Sequence, residues 1–150
     1  MSGIVGGTGS KSGVIGQTEL DYEEGLHTVV HAQTDGSNFA MNGTYEKLSY
    51  IKMGRVVHIT GHLVINTVNG TTNHTKFSLP FTCASGNEHG GAQHAMTYAV
   101  DYGGDGVSIY IGPNQKFCQC ISSRDDTSYL HACAAAGDEY NISATYYTDE

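Results

Sequence analysis

Two-residue alternation over residues 55–68, the cleanest in the sequence, is the feature that most constrains the fold of this 150-residue chain. Odd positions from 57 to 65 carry Val, Ile, Gly, Leu and Ile, whereas even positions from 58 to 66 carry His, Thr, His, Val and Asn. Successive side chains of a β-strand point to opposite sides, so this pattern predicts a long strand with one buried face. Gly54-Arg55 before it and Asn69-Gly70 after it are turn signals.

The rest of the chain also favours strands. There are 19 Ile and Val against 6 Leu, together with 15 Thr and 10 Tyr, and these side chains suit a pleated, half-buried surface. Further strands are predicted over residues 26–33, 43–53, 76–79, 94–102, 107–111, 115–122 and 140–148. Segment 130–136 is Ala-rich and is compatible with either a strand or a helical turn. We therefore expect an all-β fold, an antiparallel β-sandwich or jelly roll of about eight or nine strands.

The length predicts one domain, over residues 22–150, preceded by a Gly-rich N-terminal arm over residues 1–21. The apolar residues of this arm are Ile4, Val5, Val14 and Ile15. Two interpretations stay open: an extended arm that anchors the domain to a neighbour, or a disordered leader. Acidic residues then cluster at Glu19, Asp21, Glu23 and Glu24. We expect this cluster to be a solvated boundary before the first strand.

The charge balance limits the classes of partner. The formal net charge is −8, and the seven Lys and Arg residues are dispersed, whereas a phosphate-binding surface needs clustered cations. Nucleic acid is therefore not an expected partner. No apolar run is long enough to cross a bilayer, and the N-terminus lacks the apolar core of a signal peptide. We expect that the chain does not insert into a membrane and that it is made in a cytoplasm.

Histidine pairs are the strongest hint of a metal site. His27 and His31, and likewise His58 and His62, have a spacing that suits two ligands on a helix. On a strand, residues four apart lie about 13 Å from each other, too far to share one zinc ion. We predict no metal and no cofactor, with a site on a symmetry axis as the open alternative. His58 and His62 are instead candidates for an exposed or interfacial face.

No motif for catalysis is present. A nucleophile elbow, a phosphate loop and a paired-Cys zinc signature are all missing, so we predict no catalytic residues and no enzyme activity. Fifteen acidic residues keep a carboxylate pair for glycoside cleavage open. Cys118 and Cys120 would lie on one strand face at about 6.5–7 Å, at or beyond the reach of an unstrained disulfide. Buried free thiols are expected there.

Tyrosines dominate the aromatic residues, with ten Tyr against four Phe and no Trp. Tyr suits positions with one dry end and one wet end, such as interfaces. Tyr98, Tyr102 and Tyr110 are candidates for an interface with a neighbouring subunit or with a ligand such as a sugar. Tyr146 is expected at the edge of the core.

An ordered set of short motifs spans residues 22–147. It begins with Tyr22-Glu-Glu-Gly25, continues with Tyr50-Ile-Lys52-Met-Gly54 and Gly61, and then has Phe77-Ser-Leu79-Pro80-Phe81, before a last strand that ends near Tyr146. The set resembles a β-domain of tailed-bacteriophage virion proteins, often found at the distal end of tail fibres. This chain departs from the family after Gly25, where Leu26-His-Thr-Val29 replaces a Thr-Trp-Thr-Pro type segment.

The resemblance implies a trimeric, non-enzymatic component of the virion with no catalytic residues to transfer. The residues that carry it are expected to be structural: Tyr22, Gly25, Tyr50, Lys52, Gly54, Gly61, Leu79, Pro80, Phe81 and Tyr146. The short segment before the domain favours a capsid decoration or cement protein that clamps major capsid subunits. A tail-fibre or receptor-binding tip that contacts tail proteins and a host surface glycan is the alternative. A glycan depolymerase and a lectin-like module are more distant alternatives.

Overall fold

The computed structural model describes residues 21–30, 38–69, 75–86, 91–94, 96–98, 107–122, 130–131 and 135–150. Within these ranges the regular elements are eleven strands and no helix. The strands are β1 (Tyr22–Thr28), β2 (Asn38–Met41), β3 (Lys47–Met53), β4 (Val56–Asn69), β5 (Lys76–Ser78), β6 (Gly91–His94), β7 (Met96–Tyr98), β8 (Val107–Ile111), β9 (Phe117–Ser122), β10 (Leu130–His131) and β11 (Glu139–Tyr147). The described residues contain no helix that is long and apolar enough to cross a membrane.

Two antiparallel sheets form the structure and confirm the predicted all-β class. The larger sheet has the order β1-β3-β4-β11-β7, with β2 also paired to β4. The smaller sheet has the order β10-β9-β8-β6, with β5 also paired to β9. Every strand pair in both sheets is antiparallel.

Alternation along β4 follows the sequence prediction. Val57, Ile59, Leu63 and Ile65 are fully buried, whereas His58, Thr60 and Asn66 are exposed. The final strand β11 alternates in the same way, and its inward residues include Ile142, Ala144 and Tyr146. Because β4 and β11 are paired over nine residues, their inward faces form one continuous apolar floor for the core.

The core lies between the two sheets. The ring of Phe77 on β5 packs edge-on against Phe39 on β2 and Tyr140 on β11, with centroid distances of 5.7 and 5.1 Å. Cys118 and Cys120 on β9 are buried thiols without a disulfide, as predicted. Cys83 is also buried, and Cys133 lies outside the described residues. Each fully buried aliphatic or aromatic side chain contributes about 1.5–3 kcal/mol relative to exposure, so this layer supplies most of the driving force.

The N-terminal boundary differs from the prediction. Glu23 and Glu24 were expected before the first strand, but they lie within β1, which begins at Tyr22 rather than at residue 26. Among the described strands β1 pairs only with β3, and an edge strand tolerates acidic side chains on both faces. Asp21, assigned to the arm, already bonds the β3–β4 turn, since its carbonyl accepts from Gly54 N–H at 2.6 Å.

Two further segments differ from the prediction. Within the strand expected over residues 94–102, His94 ends β6 in the smaller sheet and Met96–Tyr98 form β7 in the larger sheet, while residues 99–102 lie outside the described residues. Strand β2 was not predicted at all. Together with the short β10, these changes give eleven strands instead of eight or nine. Short strands of three or four residues carry too few alternating positions to be recognised by periodicity.

Candidate functional site

Several of the motif residues pack around the contact between Gly25 and Tyr50. They are directly paired across β1 and β3. The phenol ring of Tyr50 covers the glycine so closely that a β-carbon on Gly25 would lie 2.8 Å from Tyr50 Oη. The Tyr50 hydroxyl donates a 2.8 Å hydrogen bond to Glu23 Oε1, and this bond raises the pKa of Tyr50. Glycine therefore provides the space in which this aromatic side chain lies.

Phe81 and Lys52 extend this contact. The Tyr50 ring meets the Phe81 ring edge-on, with centroids 5.3 Å apart. Lys52 Nζ lies 5.8 Å from the Phe81 centroid and 2.7 Å from Asp21 Oδ2. Lys52 is buried, which is rare for a lysine unless its charge is paired.

Tyr146 joins the cluster from β11. Its hydroxyl donates to the Phe81 carbonyl at 3.1 Å and accepts from the Phe81 N–H at 3.3 Å. Tyr146 is 1% exposed, and burial raises its pKa. It is thus a core residue that fixes the chain next to Pro80, while Leu79 is fully buried. We call Gly25, Tyr50, Lys52, Phe81 and Tyr146 the motif cluster.

The other motif residues lie outside this cluster. Gly54 has a φ of +56° in the turn between β3 and β4, a conformation that favours glycine. A β-carbon on Gly61 would lie 2.7 Å from the Lys47 carbonyl oxygen, so Gly61 permits close approach of two strands. Tyr22 is half exposed and donates its hydroxyl to Glu24.

His58 and His62 lie on the outer face of the larger sheet, as expected. His58 Nδ1 is 3.0 Å from Thr145 Oγ1, whereas His62 Nε2 is 3.2 Å from Glu139 Oε2. The Tyr45 ring packs against His62, with a centroid distance of 4.9 Å. The two histidines thus have separate partners on β11. No group of three His, Cys, Asp or Glu residues suited to a metal ion occurs within the described ranges.

For the remaining predicted site residues, the three interface tyrosines and the apolar residues of the arm, the structure describes few or no side-chain contacts. Tyr110 on β8 is 36% exposed. Tyr98 is described only as a backbone position on β7, where it pairs with Glu139. Tyr102 and the arm residues lie outside the described part of the chain: Ile4, Val5, Val14 and Ile15.

A feature that the sequence prediction missed is an apolar row on the outer face of the larger sheet. Tyr22 pairs with Met53, Met53 with Val56, and Val56 with Tyr147, across four adjacent strands. Directly paired residues share a face, so their side chains form one line. Ile51 and Leu26 lie on the same face beside this line. We call these six residues the outer apolar patch.

The patch is accessible. Leu26 is 67% exposed, Met53 53% and Tyr22 50%, and Tyr147 and Ile51 are each about 40% exposed (42% and 39%). The signal was present in β3, where Ile51 and Met53 alternate with the buried Lys52. In most strands the apolar side chains point inward and the charged ones outward, but in β3 the lysine points inward and the apolar residues point outward. For this reason the sequence alone could not show which face of β3 is buried.

The buried thiols do not resemble nucleophiles. Burial raises the pKa of the Cys118 thiol to about 12, and it raises that of Cys120 well above its usual value.

Asp138, a buried acid before β11, accepts hydrogen bonds from Ala135 N–H and the Tyr140 hydroxyl. Desolvation raises its pKa, and its bonds hold the turn that precedes β11.

Comparisons with known proteins do not identify the chain. No protein-family model matches its sequence, and no curated protein is similar to it. We therefore infer function from the sequence motifs and from the geometry of the motif cluster and of the outer apolar patch.

Proposed function

We propose that this chain is a non-enzymatic structural protein of a bacteriophage virion, assembled as a trimer that decorates the capsid and clamps neighbouring capsid subunits. The observation that carries the proposal is the motif cluster. Gly25, Tyr50, Lys52, Phe81 and Tyr146 are spread over more than a hundred residues, yet they form one packed set of contacts. The motifs that resemble the virion β-domain in sequence thus act as one structural unit in this chain, and the proposal takes the virion role from that resemblance.

The cement role has a simple energetic basis. Each copy adds a modest area of contact, and repetition over a shell multiplies the gain. Burying about 1,000 Å² of apolar surface supplies on the order of 25 kcal/mol before ordering costs. In this proposal the apolar residues of the N-terminal arm contact the capsid, and the β-sandwich faces outward.

A tail-fibre or receptor-binding tip is the second candidate. One observation favours it: Tyr45, His62 and Glu139 lie together on the outer face of the larger sheet. An exposed aromatic ring beside hydrogen-bonding groups suits a sugar ring of a host surface glycan. This candidate predicts glycan binding that is lost in Tyr45→Ala, whereas the cement role predicts none.

Removal of the arm tests the attachment step. A protein that lacks residues 1–18 should keep the β-sandwich, because every described strand and the hydrogen bond between Asp21 and Gly54 lie beyond residue 18. We expect full-length protein to bind virions from which the native copies have been stripped, and the truncated protein to lose that binding. Circular dichroism provides the control for folding. Full-affinity binding by the folded truncated protein would contradict the anchoring role of the arm.

A further inference from the structure

We infer that the outer apolar patch is the surface through which copies of this chain associate with one another. The inference deepens the proposed structural role, and it rests on that role only for the expected number of copies. The proposed occupant of the patch is a second copy of the chain, packed against the larger sheet.

Continuity of the patch is the first argument. Its central line crosses β1, β3, β4 and β11, so it is about 14 Å wide at the usual strand separation. The line lies at the end of the sheet marked by Met53 and Val56, next to the turn at Gly54. A single exposed Leu or Met is ordinary, whereas a contiguous apolar row that crosses a sheet marks an interaction surface.

Area is the second argument. Tyr22 and Tyr147 each expose about half of a side chain that buries about 150–250 Å² when covered, which leaves roughly 100 Å² per ring. With Leu26, Met53 and Ile51 the patch presents roughly 400 Å², within the range of functional patches on soluble proteins. A stable interface buries about 800 Å² on each partner. The polar neighbours Thr60, Ser143 and Thr145 on the same face can supply the remainder.

Charge is the third argument. Two chains with a net charge of −8 repel each other, so they can meet only where the local charge is low. On the outer face of β1, β3, β4 and β11 the formally charged residues are Glu24, Lys47 and Glu139, which sum to −1. The charged residues at the adjoining end of the sheet form two opposite-charge pairs, Asp21 with Lys52 and Arg55 with Asp149. Glu24 already accepts a hydrogen bond from the Tyr22 hydroxyl. The patch thus combines the apolar area with nearly neutral surroundings, as self-association requires.

The mass in solution tests this inference. Light scattering of the full chain should give a multiple of 16.0 kDa, about 48 kDa for a trimer. Met53→Glu places a charge at the centre of the patch and should raise the dissociation constant about 100-fold or more, because a buried unpaired charge costs several kcal/mol. Val30→Glu is the matched control, since Val30 is 59% exposed and lies outside the patch. It should keep the wild-type mass.

Four outcomes would overturn the inference: a monomeric wild type, an unchanged mass for folded Met53→Glu, an equal loss in Val30→Glu, or loss of assembly on deleting residues 1–18. Far-UV circular dichroism shows that each variant is folded, and Leu26→Glu is a second patch variant if Met53→Glu does not fold. An oligomer that depends on the patch but does not attach to virions would support this surface and contradict the proposed function.

Discussion

The phenol ring of Tyr50 covers the α-carbon of Gly25, its direct partner on the neighbouring strand. The contact explains why a glycine stands in the middle of an edge strand, where it would otherwise weaken pairing. An aromatic ring over a cross-strand glycine replaces the packing that the missing side chain would provide. It also connects the edge strand to Phe81, and through Phe81 to β11, the last strand of the chain.

Gly25→Ala should lower the free energy of unfolding by about 1–3 kcal/mol, because the added carbon must displace the Tyr50 ring. Gly43→Ala is the matched control, since a β-carbon there meets nothing within 4 Å. Urea denaturation measures both. Equal stability of the two variants would contradict the close contact between Gly25 and Tyr50.

Asp21→Asn should cost about 1–3 kcal/mol of stability, because it leaves the buried ammonium of Lys52 without its charged partner. Asp149→Asn breaks a similar pair with Arg55, but both of those side chains are more than half exposed. Exposed pairs are worth about 0–1 kcal/mol, so we expect a much smaller effect. Thermal unfolding of the two variants under one buffer condition compares them. A larger loss for Asp149→Asn would show that burial of Lys52 does not matter.

Tyr146→Phe removes the hydroxyl that bonds both backbone groups of Phe81. The expected loss is about 1–2 kcal/mol, since the ring stays in place and only the hydrogen bonds are lost. Tyr45→Phe removes the hydroxyl of an exposed tyrosine and should change stability by less than about 0.5 kcal/mol. Chemical denaturation followed by circular dichroism distinguishes the two. A neutral Tyr146→Phe would mean that water replaces the lost bonds.

We expect His27 to make the free energy of unfolding depend on pH. Burial is the main cause that lowers the pKa of His27, and the imidazole lies 2.9 Å from Ser78 Oγ on the other sheet. A group with a lowered pKa in the folded state binds fewer protons than in the unfolded state. Its stabilising effect is therefore present above about pH 6.5 and is lost as the pH falls through the folded-state value.

His27→Gln should remove this dependence. The stability difference between wild type and variant, measured by denaturation from pH 7.5 to pH 5, should shift in favour of the variant as the pH falls. A difference that stays constant over this interval would contradict the lowered pKa of His27.

The sequence was sufficient to predict the fold class and the burial of long strands. Alternation in β4, β8 and β11 is carried by five or more residues each, and the period of two identifies the inward face directly. The free thiols Cys118 and Cys120 and the core position of Tyr146 also follow from strand geometry.

Other features depend on tertiary contacts that no local pattern records. Lys52 points inward because Asp21 forms a salt bridge with its ammonium group and the Phe81 ring lies beside it. The buried face of β3 is therefore the opposite of the one that its apolar residues suggest. The outer apolar patch is assembled from single residues on four strands, so it becomes visible only when the register of pairing is known. The sequence identifies the motif residues, but the contacts among them are visible only in the folded structure.

Electron cryomicroscopy of the parent virion at moderate resolution is the decisive test of a structural role in the virion. We predict two-sheet densities in groups of three on the outer capsid surface, at positions where capsid subunits meet. Mass spectrometry of the same purified particles should detect this chain in many copies. Particles that lack the chain, or a capsid and tail with no density for the sandwich, would contradict a structural role in the virion.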